Sequence, residues 1–547
     1  MKKATSLVAI AVFFTTLFAN SIFAQSTSIT VFDEVLFYDG YAGLVDEADL
    51  YEPMPPEVLR HSNSNYAVKL TADQLSAIGN KLTLDVTLKA ACDNYDRIAR
   101  VYLAMVPTGQ ATYVSSEVDR IEISRFITPF MNKNNAPMEV PFTFTMDNVA
   151  EILNDPTLTA QYDFWMELDV FGVPYAAQTQ VAGCDGRIDT FYGTLVLTTE
   201  TDSSQTFPND NFILPLLDNY QLNNYNGTDV PDETTKIVSF TLDQAVEDLS
   251  LFLITSNHGA NAGGEEYERR DHFVYLDNTL VKEYIPGGKS CEPWRQYNTQ
   301  GNGIYSPSPR TTRFWLSFNN WCPGDVIPIR EISLGNLAAG THEIKIDVPD
   351  AQFVNDEGYI PVSMYLQNRT SFQPLCVDPT DFNGYQTNTD GDILVEWMEN
   401  GDATQWEVLY GRTSLINDET YIIVNSTQEL IDVPQGGYNS FYVRALCDSD
   451  FTSNWVGPIN IQNILGTNNN AFNSFEFYPN PASNNVNLSA NNIIDQVSII
   501  DLSGKQLLNQ SISQTTGTIN IENIPSGVYF MNVSIEGSIK THKLIIK

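Results

Sequence analysis

The sequence predicts an all-β protein that contains several sandwich-type domains. Short runs rich in β-branched and aliphatic residues, such as Leu82–Leu88 and Val101–Val106, recur along the chain and are separated by turn residues. Hydrophobic residues make up 42% of the chain and aromatic residues 11%, which is typical of folded domains. Because 547 residues exceed what one core can hold, the length predicts about three to five domains.

The first 24 residues have the pattern of an export signal. Lys2 and Lys3 form a short positive region, Leu7–Phe18 is an apolar core, and Ala24 is a small residue suited to cleavage. The apolar core is too short for a membrane span. We therefore expect a signal peptide at residues 1–24 and a secreted or cell-surface protein exported through the periplasm.

The charge of the chain excludes some classes of partner. There are 67 acidic and 29 basic residues, and the formal net charge is −38. This balance disfavours binding to nucleic acid or to an anionic membrane and suits a protein outside the cell. It indicates no particular substrate.

The cysteine pattern indicates disulfide bonds. An exported chain with an even number of cysteines commonly oxidises them in pairs, and here they fall two by two along the chain: Cys92 and Cys184, Cys291 and Cys322, Cys376 and Cys447. Geometry decides whether Cys92 bonds Cys184. No Cys-x-x-Cys occurs and the five histidines are scattered, so we expect neither a zinc nor a di-copper centre and no cofactor.

Two β domains follow the signal. Residues 26–200 contain short alternating strands and one short helix, expected at 147–154. A polar segment then joins them to a second β domain at 205–370. Many short strands at regular spacing favour sandwiches or jelly rolls in both.

Residues 374–462 resemble a fibronectin type III sandwich. The resemblance lies in four segments: Leu394–Trp397, Trp406–Gly411, Ser440–Ala445 and Ser453–Trp455. We expect Cys376 and Cys447 to link its first strand to a late one. Such modules are usually spacers or docking pieces, and we assign it no chemistry.

Residues 475–547 resemble the type A C-terminal sorting domain of type IX secretion substrates. The resemblance covers the whole segment, through Phe477–Ala482, Val497–Lys505, Gly527–Phe530 and Lys543–Lys547. It implies that the type IX secretion machinery is a partner. The alternative is a plain immunoglobulin-like terminal module.

Two stretches carry clustered carboxylates. On a strand, alternation places Met166, Leu168 and Val170 on an inner face and Trp165, Glu167 and Asp169 on the other. An aromatic residue beside two acids suits a carbohydrate groove, but from this stretch alone an ordinary solvated face with one stray tryptophan is the better interpretation. In Gly263–His272, Glu265 and Glu266 stand near Arg269 and Arg270; a salt-bridged surface loop is the default interpretation.

Four motifs in order resemble the peptide:N-glycosidase F family. Cys92–Ala99 is similar to that family's Cys-Asp-Glu-Trp-Asp-Arg-Tyr-Ala, and Arg125–Phe130 to its Arg-Phe-Ile-Thr-Pro-Tyr. Trp321–Gly324 reproduces its Trp-Cys-Pro-Gly, and Pro328–Arg330 follows at the family's spacing. The resemblance covers roughly residues 30–368. It implies two jelly-roll domains packed side by side, an active groove between them and no metal.

The resemblance also implies roles for individual residues. Asp96 corresponds to the principal catalytic aspartate of an amidase that releases N-glycans from asparagine, and Glu167 and Glu266 to its supporting acids. The implied substrate-binding residues are two arginines and four aromatic residues: Arg97, Arg270, Tyr95, Tyr267, Trp165 and Trp321. A disulfide between Cys291 and Cys322 also matches the family.

The chain departs from the family pattern at several positions. Asp169 stands where a tryptophan is expected, and Phe318 where an arginine precedes Trp-Cys-Pro-Gly. Gly264 and Glu268 occupy the cysteine positions of a tight disulfide loop around the second supporting glutamate. These changes affect sugar recognition more than the acids.

Three functions follow as alternatives. We expect a monomeric secreted amidase that acts on N-glycoproteins or glycopeptides. A non-catalytic glycan- or protein-binding protein on the same scaffold is the first alternative. A copper monooxygenase is the second, but such enzymes need clustered His and Met ligands, and only His258 and His272 lie near one another in the sequence.

Overall fold

The computed structural model describes residues 26–202, 211–259, 264–317, 320–369, 376–387, 392–401, 403–415, 417–433, 437–448, 451–463, 472, 474–501, 505–535 and 538–547. The expected signal peptide, Gly263 and Phe318 therefore lie outside the described residues. The chain divides into two compact units, residues 1–374 and 375–547. The boundaries expected within each unit stay predictions.

The first unit begins with a β sandwich. Its strands are β1 (Thr27–Tyr38), β2 (Val58–Arg60), β3 (Asn65–Lys69), β4 (Lys81–Ala90), β5 (Ile98–Pro107), β6 (Asp119–Ile127), β7 (Glu139–Thr145), β8 (Tyr162–Val170) and β9 (Asp189–Glu200). The helices are α1 (Ala72–Ala77), α2 (Asp147–Leu153), α3 (Pro156–Gln161) and α4 (Ala177–Gln180), with 3-10 turns at Glu47–Asp49 and Ser115–Glu117. The helix expected at 147–154 is confirmed as α2.

A second sandwich completes this unit. Its strands are β10 (Ile213–Leu222), β11 (Thr235–Leu242), β12 (Val246–Thr255), β13 (His272–Leu276), β14 (Thr279–Tyr284), β16 (Arg330–Leu337), β17 (Gly340–Asp347) and β18 (Ile360–Asn368). The short strand β15 (Val326–Ile327) lies between β14 and β16 in the chain but belongs to a sheet of the first sandwich. Helix α5 (Thr312–Leu316) and the 3-10 segments Glu265–Tyr267, Glu292–Tyr297 and Val354–Asp356 lie in its connections.

Four sheets organise the first unit. The first sandwich pairs the sheet β1-β9-β4-β7 with the six-stranded sheet β15-β6-β5-β8-β3-β2, and the second contains β10-β18-β12-β16 and β11-β17-β13-β14. Strand β4 alternates strictly between buried and partly exposed residues, as a strand facing a core on one side does. Met166, Leu168 and Val170 of β8 lie in the same core, which confirms their predicted inner face.

One short strand joins the two sandwiches. Strand β15 follows the Trp-Cys-Pro-Gly stretch and pairs antiparallel with β6, so that Val326 lies opposite Phe126 and Ile327 opposite Arg125. The Gly324 N–H donates to the Ile127 carbonyl over 2.9 Å, and the Ile127 N–H donates to the Asp325 carbonyl over 3.0 Å. Two motifs that are distant in sequence are thus hydrogen-bonded neighbours.

The second unit is also built from strands. Its first sheets contain β19 (Thr380–Gln386), β20 (Asp392–Met398), β21 (Gln405–Arg412), β22 (Thr420–Val424), β23 (Gln428–Asp432), β24 (Gly437–Asp448), β25 (Phe451–Thr452) and β26 (Val456–Asn463). The last sheet contains β27 (Glu476–Tyr478), β28 (Asn485–Ile500), β29 (Gln506–Asn520), β30 (Gly527–Ile535) and β31 (Ser538–Ile546). The all-β class predicted for the whole chain is confirmed.

The three predicted cysteine pairs are disulfides. Cys92 bonds Cys184, Cys291 bonds Cys322, and Cys376 bonds Cys447. Among the described residues, no helix is long and apolar enough to cross a membrane. In that same part of the chain, no group of three or more His, Cys, Asp or Glu side chains is placed to hold a metal ion.

Candidate active site

A pocket of about 630 Å³ in the first unit contains the residues of the first motif. It is lined by residues from the loop before β5, the segment after β6, the end of α4, one 3-10 turn and a glycine-containing loop: Asn94, Tyr95, Asp96, Arg97, Phe130, Gln180, Glu266, Tyr267 and Gln300 to Ile304. Both sandwiches therefore contribute to one pocket, and two of the three expected acids, Asp96 and Glu266, line it.

Asp96 is the titratable group best suited to proton transfer in this pocket. Burial raises the pKa of its carboxyl to about 7, and the charge of Glu266 acts in the same direction. The nearby Arg97 guanidinium partly opposes the increase in pKa. A carboxyl whose pKa lies near neutrality can both accept and return a proton at physiological pH.

Glu266 lies on the 3-10 turn Glu265–Tyr267. Its Oε2 accepts a hydrogen bond from the Gly259 N–H over 3.1 Å. Burial raises the pKa of the Glu266 carboxyl, while the bonds from Gly259 and from the Tyr267 hydroxyl favour its charged form. The turn thus presents a carboxylate whose orientation is set by two donors.

Arg97 and Tyr95 border Asp96 and are held by a buried carboxylate. Asp93 accepts hydrogen bonds from the Tyr95 N–H at 2.9 Å, from the Val173 N–H at 2.7 Å and from Arg97 Nε at 2.9 Å. The Arg97 guanidinium lies 5.4 Å from the centre of the Tyr95 ring. Asp93 belongs to the first motif, but sequence reasoning assigned it no role.

The pocket also has a polar wall that the sequence did not predict. Asn94 Nδ2 donates to Gln180 Oε1 over 2.8 Å. The Cys92–Cys184 disulfide joins the segments that carry these two residues. On the opposite side, Gln300 is tied to the segment after β6, since its N–H donates to the Phe130 carbonyl over 2.9 Å. No local pattern in the sequence marks Gln180 or Gln300.

Glu167 is not in this pocket. It is fully buried on the outward face of β8, where Oε1 accepts from the Tyr113 hydroxyl at 2.7 Å and Oε2 accepts from Arg120 Nη1 at 2.6 Å and Asn65 Nδ2 at 3.1 Å. Arg120 also bonds Asp218 of β10 over 2.7 Å. The expected convergence of three acids on one cleft is therefore wrong for Glu167, because Tyr113, Arg120 and Asn65 of the same sandwich cover its side chain.

The two tryptophans expected to bind substrate are packing residues. Trp165 is buried, and its ring lies 5.4 Å from that of Tyr113. Trp321 stacks 5.4 Å from the His258 ring, and its Nε1 donates to the Asn257 carbonyl over 2.8 Å. Both predictions are corrected: neither ring lines the pocket, since each fills apolar space beside a neighbouring strand or loop.

Arg270 also lies outside the pocket, although the resemblance implied a position in the groove. Its guanidinium forms two hydrogen bonds to Glu265 Oε1 and Oε2, at 2.8 Å and 3.0 Å, and it does not line the pocket. Glu265 further accepts from the Gln352 N–H over 2.6 Å. Because Glu265 precedes Glu266, this ion pair anchors the turn that carries the pocket carboxylate. Tyr95 and Tyr267, in contrast, line the pocket as expected.

His258 and His272 do not form a metal site. The His258 ring is buried against Trp321, its Nε2 lies 2.8 Å from Ser256 Oγ, and burial lowers its pKa well below the ordinary value. The buried His272 ring stacks 4.9 Å from Tyr284, and its Nδ1 lies 2.9 Å from the Arg270 carbonyl. Each histidine serves packing within the second sandwich.

Comparisons with known proteins agree with the motif order. The family model described as Peptide-N-glycosidase F, N terminal, matches residues 28–188, and the one described as Peptide-N-glycosidase F, C terminal, matches residues 224–367. The model described as Secretion system C-terminal sorting domain matches residues 476–547. No curated protein matches the chain significantly.

Solved structures also resemble the chain. A structure of PNGF-II is 19% identical with a TM-score of 0.46, and the match covers 64% of this chain and 66% of that one. A recombinant peptide: N-glycanase F (PNGase F) is 15% identical with a TM-score of 0.40, covering 63% of this chain and 96% of that one. The chain thus spans slightly less than two thirds of the PNGF-II chain.

Proposed function

Because residues 28–188 and 224–367 belong to the peptide-N-glycosidase F family and the last 72 residues to the secretion sorting-domain family, we propose that this chain is an exported amidase. It hydrolyses the amide bond between an N-glycan and asparagine. The observation that carries the proposal is the pairing of Asp96, with a pKa of about 7, and Glu266 in one pocket.

The reaction requires three things of these side chains. Water attacks the amide carbonyl carbon of glycosylated asparagine, a tetrahedral oxyanion forms, and the carbon–nitrogen bond breaks to give aspartate and a glycosylamine. Asp96 takes a proton from the water and returns it to the leaving nitrogen. Glu266 orients the water, and the Arg97 guanidinium stabilises the developing negative charge on oxygen.

The pocket walls fit a sugar ring beside these groups. Tyr95 is exposed, and its ring centre lies 5.7 Å from that of Phe130. Aromatic faces contact the apolar faces of sugars, while amides bond sugar hydroxyl groups. The Asn94–Gln180 pair supplies such amides at the same pocket. The substrate class that fits is an N-glycoprotein or glycopeptide, delivered to the enzyme after secretion.

Mass spectrometry of a treated glycopeptide tests the proposal. We expect the purified mature chain to release the intact glycan and convert the carrier asparagine to aspartate, because the amide bond is the one cleaved. A peptide that keeps one N-acetylglucosamine would indicate an endoglycosidase and contradict the proposal. Binding without cleavage would support the alternative of a non-catalytic glycan-binding protein.

The pH dependence of kcat/KM gives a second expectation. Asp96 acts as a base only when ionised, so kcat/KM should rise with pH through about 7. The Glu266→Gln variant removes a negative charge that raises the Asp96 pKa, and the midpoint of its residual activity should therefore move to lower pH. Initial rates measured from about pH 4 to about pH 9 check both statements. A midpoint that E266Q leaves in place would contradict the coupling of the two acids.

A further inference from the structure

The turn that carries Glu266 is held by one side chain from a distant segment. Asn320 Nδ2 lies within hydrogen-bond distance of three carbonyl oxygens, those of Glu265 at 2.8 Å, Glu266 at 2.9 Å and Glu268 at 2.8 Å, so that its two N–H groups are shared among them. Backbone hydrogen bonds inside the turn are longer: the Glu268 N–H reaches the Glu265 carbonyl over 3.3 Å. The amide of Asn320 is thus the shortest polar tie to the backbone of these residues.

Asn320 is itself well placed to act as an anchor. Its side chain is buried, and the next residue, Trp321, is fixed by its hydrogen bond to Asn257 and by its stack on His258. Cys322, one residue after Trp321, forms a disulfide with Cys291. A side chain directly before a rigid segment can hold a neighbouring turn without adding motion of its own.

The same segment also supports the Glu266 side chain. Trp321 packs against His258, and the following residue, Gly259, donates its N–H to Glu266 Oε2 over 3.1 Å. Asn320 therefore holds the backbone of Glu266, while Trp321 packs beside the segment whose Gly259 N–H donates to the Glu266 carboxylate. Both contacts depend on the same two consecutive residues.

We propose that Asn320 is a positioning residue for Glu266, and that its amide replaces the covalent closure of this turn. The sequence resemblance implies a disulfide loop whose cysteine positions are Gly264 and Glu268 here. Asn320 bonds the carbonyl oxygens of Glu265, Glu266 and Glu268. These residues lie in the segment that a disulfide between positions 264 and 268 would close, so Asn320 clamps the same segment. The expected effect of Asn320 on catalysis rests on the proposed function. The clamp itself can be tested without measuring enzyme activity.

The test compares Asn320→Ala with a variant that restores a covalent clamp. Gly264 has φ −72° and Glu268 φ −102°, which cysteine adopts without strain. We expect N320A to lower kcat/KM at least about tenfold and to shift the midpoint of its pH profile downward, since Glu266 moves away from Asp96. The triple variant N320A/G264C/E268C should recover most of the activity and return the midpoint towards that of the parent chain.

Asn223→Ala is the matched control. Asn223 is also a buried asparagine that pins a turn of the second sandwich, since its Oδ1 accepts from the N–H groups of Tyr225, Asn226 and Gly227. We expect N223A to lower Tm by a similar amount and to leave the pH midpoint unchanged. If N320A behaves like N223A in the pH profile, Asn320 is only structural and the inference is overturned.

Hydrogen exchange separates this inference from the proposed function. Exchange of peptides that cover residues 264–270, followed by mass spectrometry, needs no substrate. Faster exchange in N320A, reversed in the triple variant, supports the clamp even if the parent chain cleaves no glycopeptide. Unchanged exchange in N320A overturns the clamp even if the parent chain is an active amidase.

Discussion

The Asp96→Asn variant is expected to lose deglycosylation almost completely while becoming more stable at alkaline pH. Asparagine keeps the shape of the side chain but can neither accept nor return a proton. Loss of a positioned proton-transfer group costs about 10²- to 10⁴-fold in kcat. Glycopeptide cleavage followed by mass spectrometry measures this loss directly.

The stability change follows from the raised pKa of Asp96. Its folded-state pKa of about 7 lies above the ordinary 3.8, so the folded protein binds this proton more tightly than the unfolded chain. Ionisation therefore costs the folded state free energy as pH rises from about 4 through about 7. D96N removes this cost, so its free energy of unfolding should exceed that of the parent chain by on the order of 3 kcal/mol at pH 8.

The pH dependence of this difference is the internal control for D96N. At about pH 3 the Asp96 carboxyl is protonated in the folded state and largely so in the unfolded chain. The stabilities of D96N and the parent chain should then be nearly equal. Denaturant unfolding at both pH values checks this. An active D96N enzyme, or a D96N protein that is less stable at pH 8, would show that Asp96 is not the buried proton carrier.

The Glu167→Ala variant is expected to be strongly destabilised. It removes both oxygens that satisfy Arg120 Nη1, the Tyr113 hydroxyl and Asn65 Nδ2. Removing one partner of a buried ion pair costs about 3 to 5 kcal/mol. Because Asp218 still pairs with Arg120 in this variant, we expect a loss at the lower end of that range. The free energy of unfolding from denaturant titration measures it.

Two variants provide the comparison for E167A. Glu200 is exposed at the end of β9, so E200A should change stability by less than about 0.5 kcal/mol. Asp218→Asn removes the negative charge of the other carboxylate bonded to Arg120, which lies on β10 of the second sandwich. Because Glu167 and Asp218 share Arg120, the effects of E167A and D218N should not add.

The same experiment decides between two roles for Glu167. If Glu167 holds the two sandwiches together through Arg120, the E167A molecules that remain folded should lose activity only to the extent that the pocket changes shape. If it touches substrate, as the family resemblance implies, E167A should fold normally and lose kcat by orders of magnitude. A stable but inactive E167A protein would contradict the placement described above.

Much of the site could be predicted because its determinants are consecutive in sequence. Asp96, Arg97 and Tyr95 stand together just before β5, and the pocket brings them together. Alternation along β8 predicted the inner face of Met166, Leu168 and Val170, since strand periodicity is a local property. The sequence also suggested the Cys291–Cys322 and Cys376–Cys447 bonds, whereas it left the pairing of Cys92 with Cys184 open.

Other features depended on what packs against a face, which no local pattern records. Alternation places Trp165 and Glu167 on the outward side of β8, but only the tertiary structure shows that this side is buried. Burial converts a candidate sugar-binding tryptophan into a packing residue and a candidate catalytic glutamate into the partner of Arg120. The physical reason is that Tyr113 and Arg120, which come from distant parts of the chain, pack over this face and exclude water from it.

The sequence by itself determined that this is an exported all-β protein with an acid-bearing motif, an even set of six cysteines and a C-terminal sorting domain. Only the tertiary structure decided that Glu266 joins Asp96 while Glu167 does not, and that Asn320 holds the Glu266 turn. Motifs and strand periodicity involve only a few consecutive residues. The hydrogen bonds that hold the backbone of the Glu266 turn, and the bond from Tyr113 to Glu167, arise between segments more than 50 residues apart.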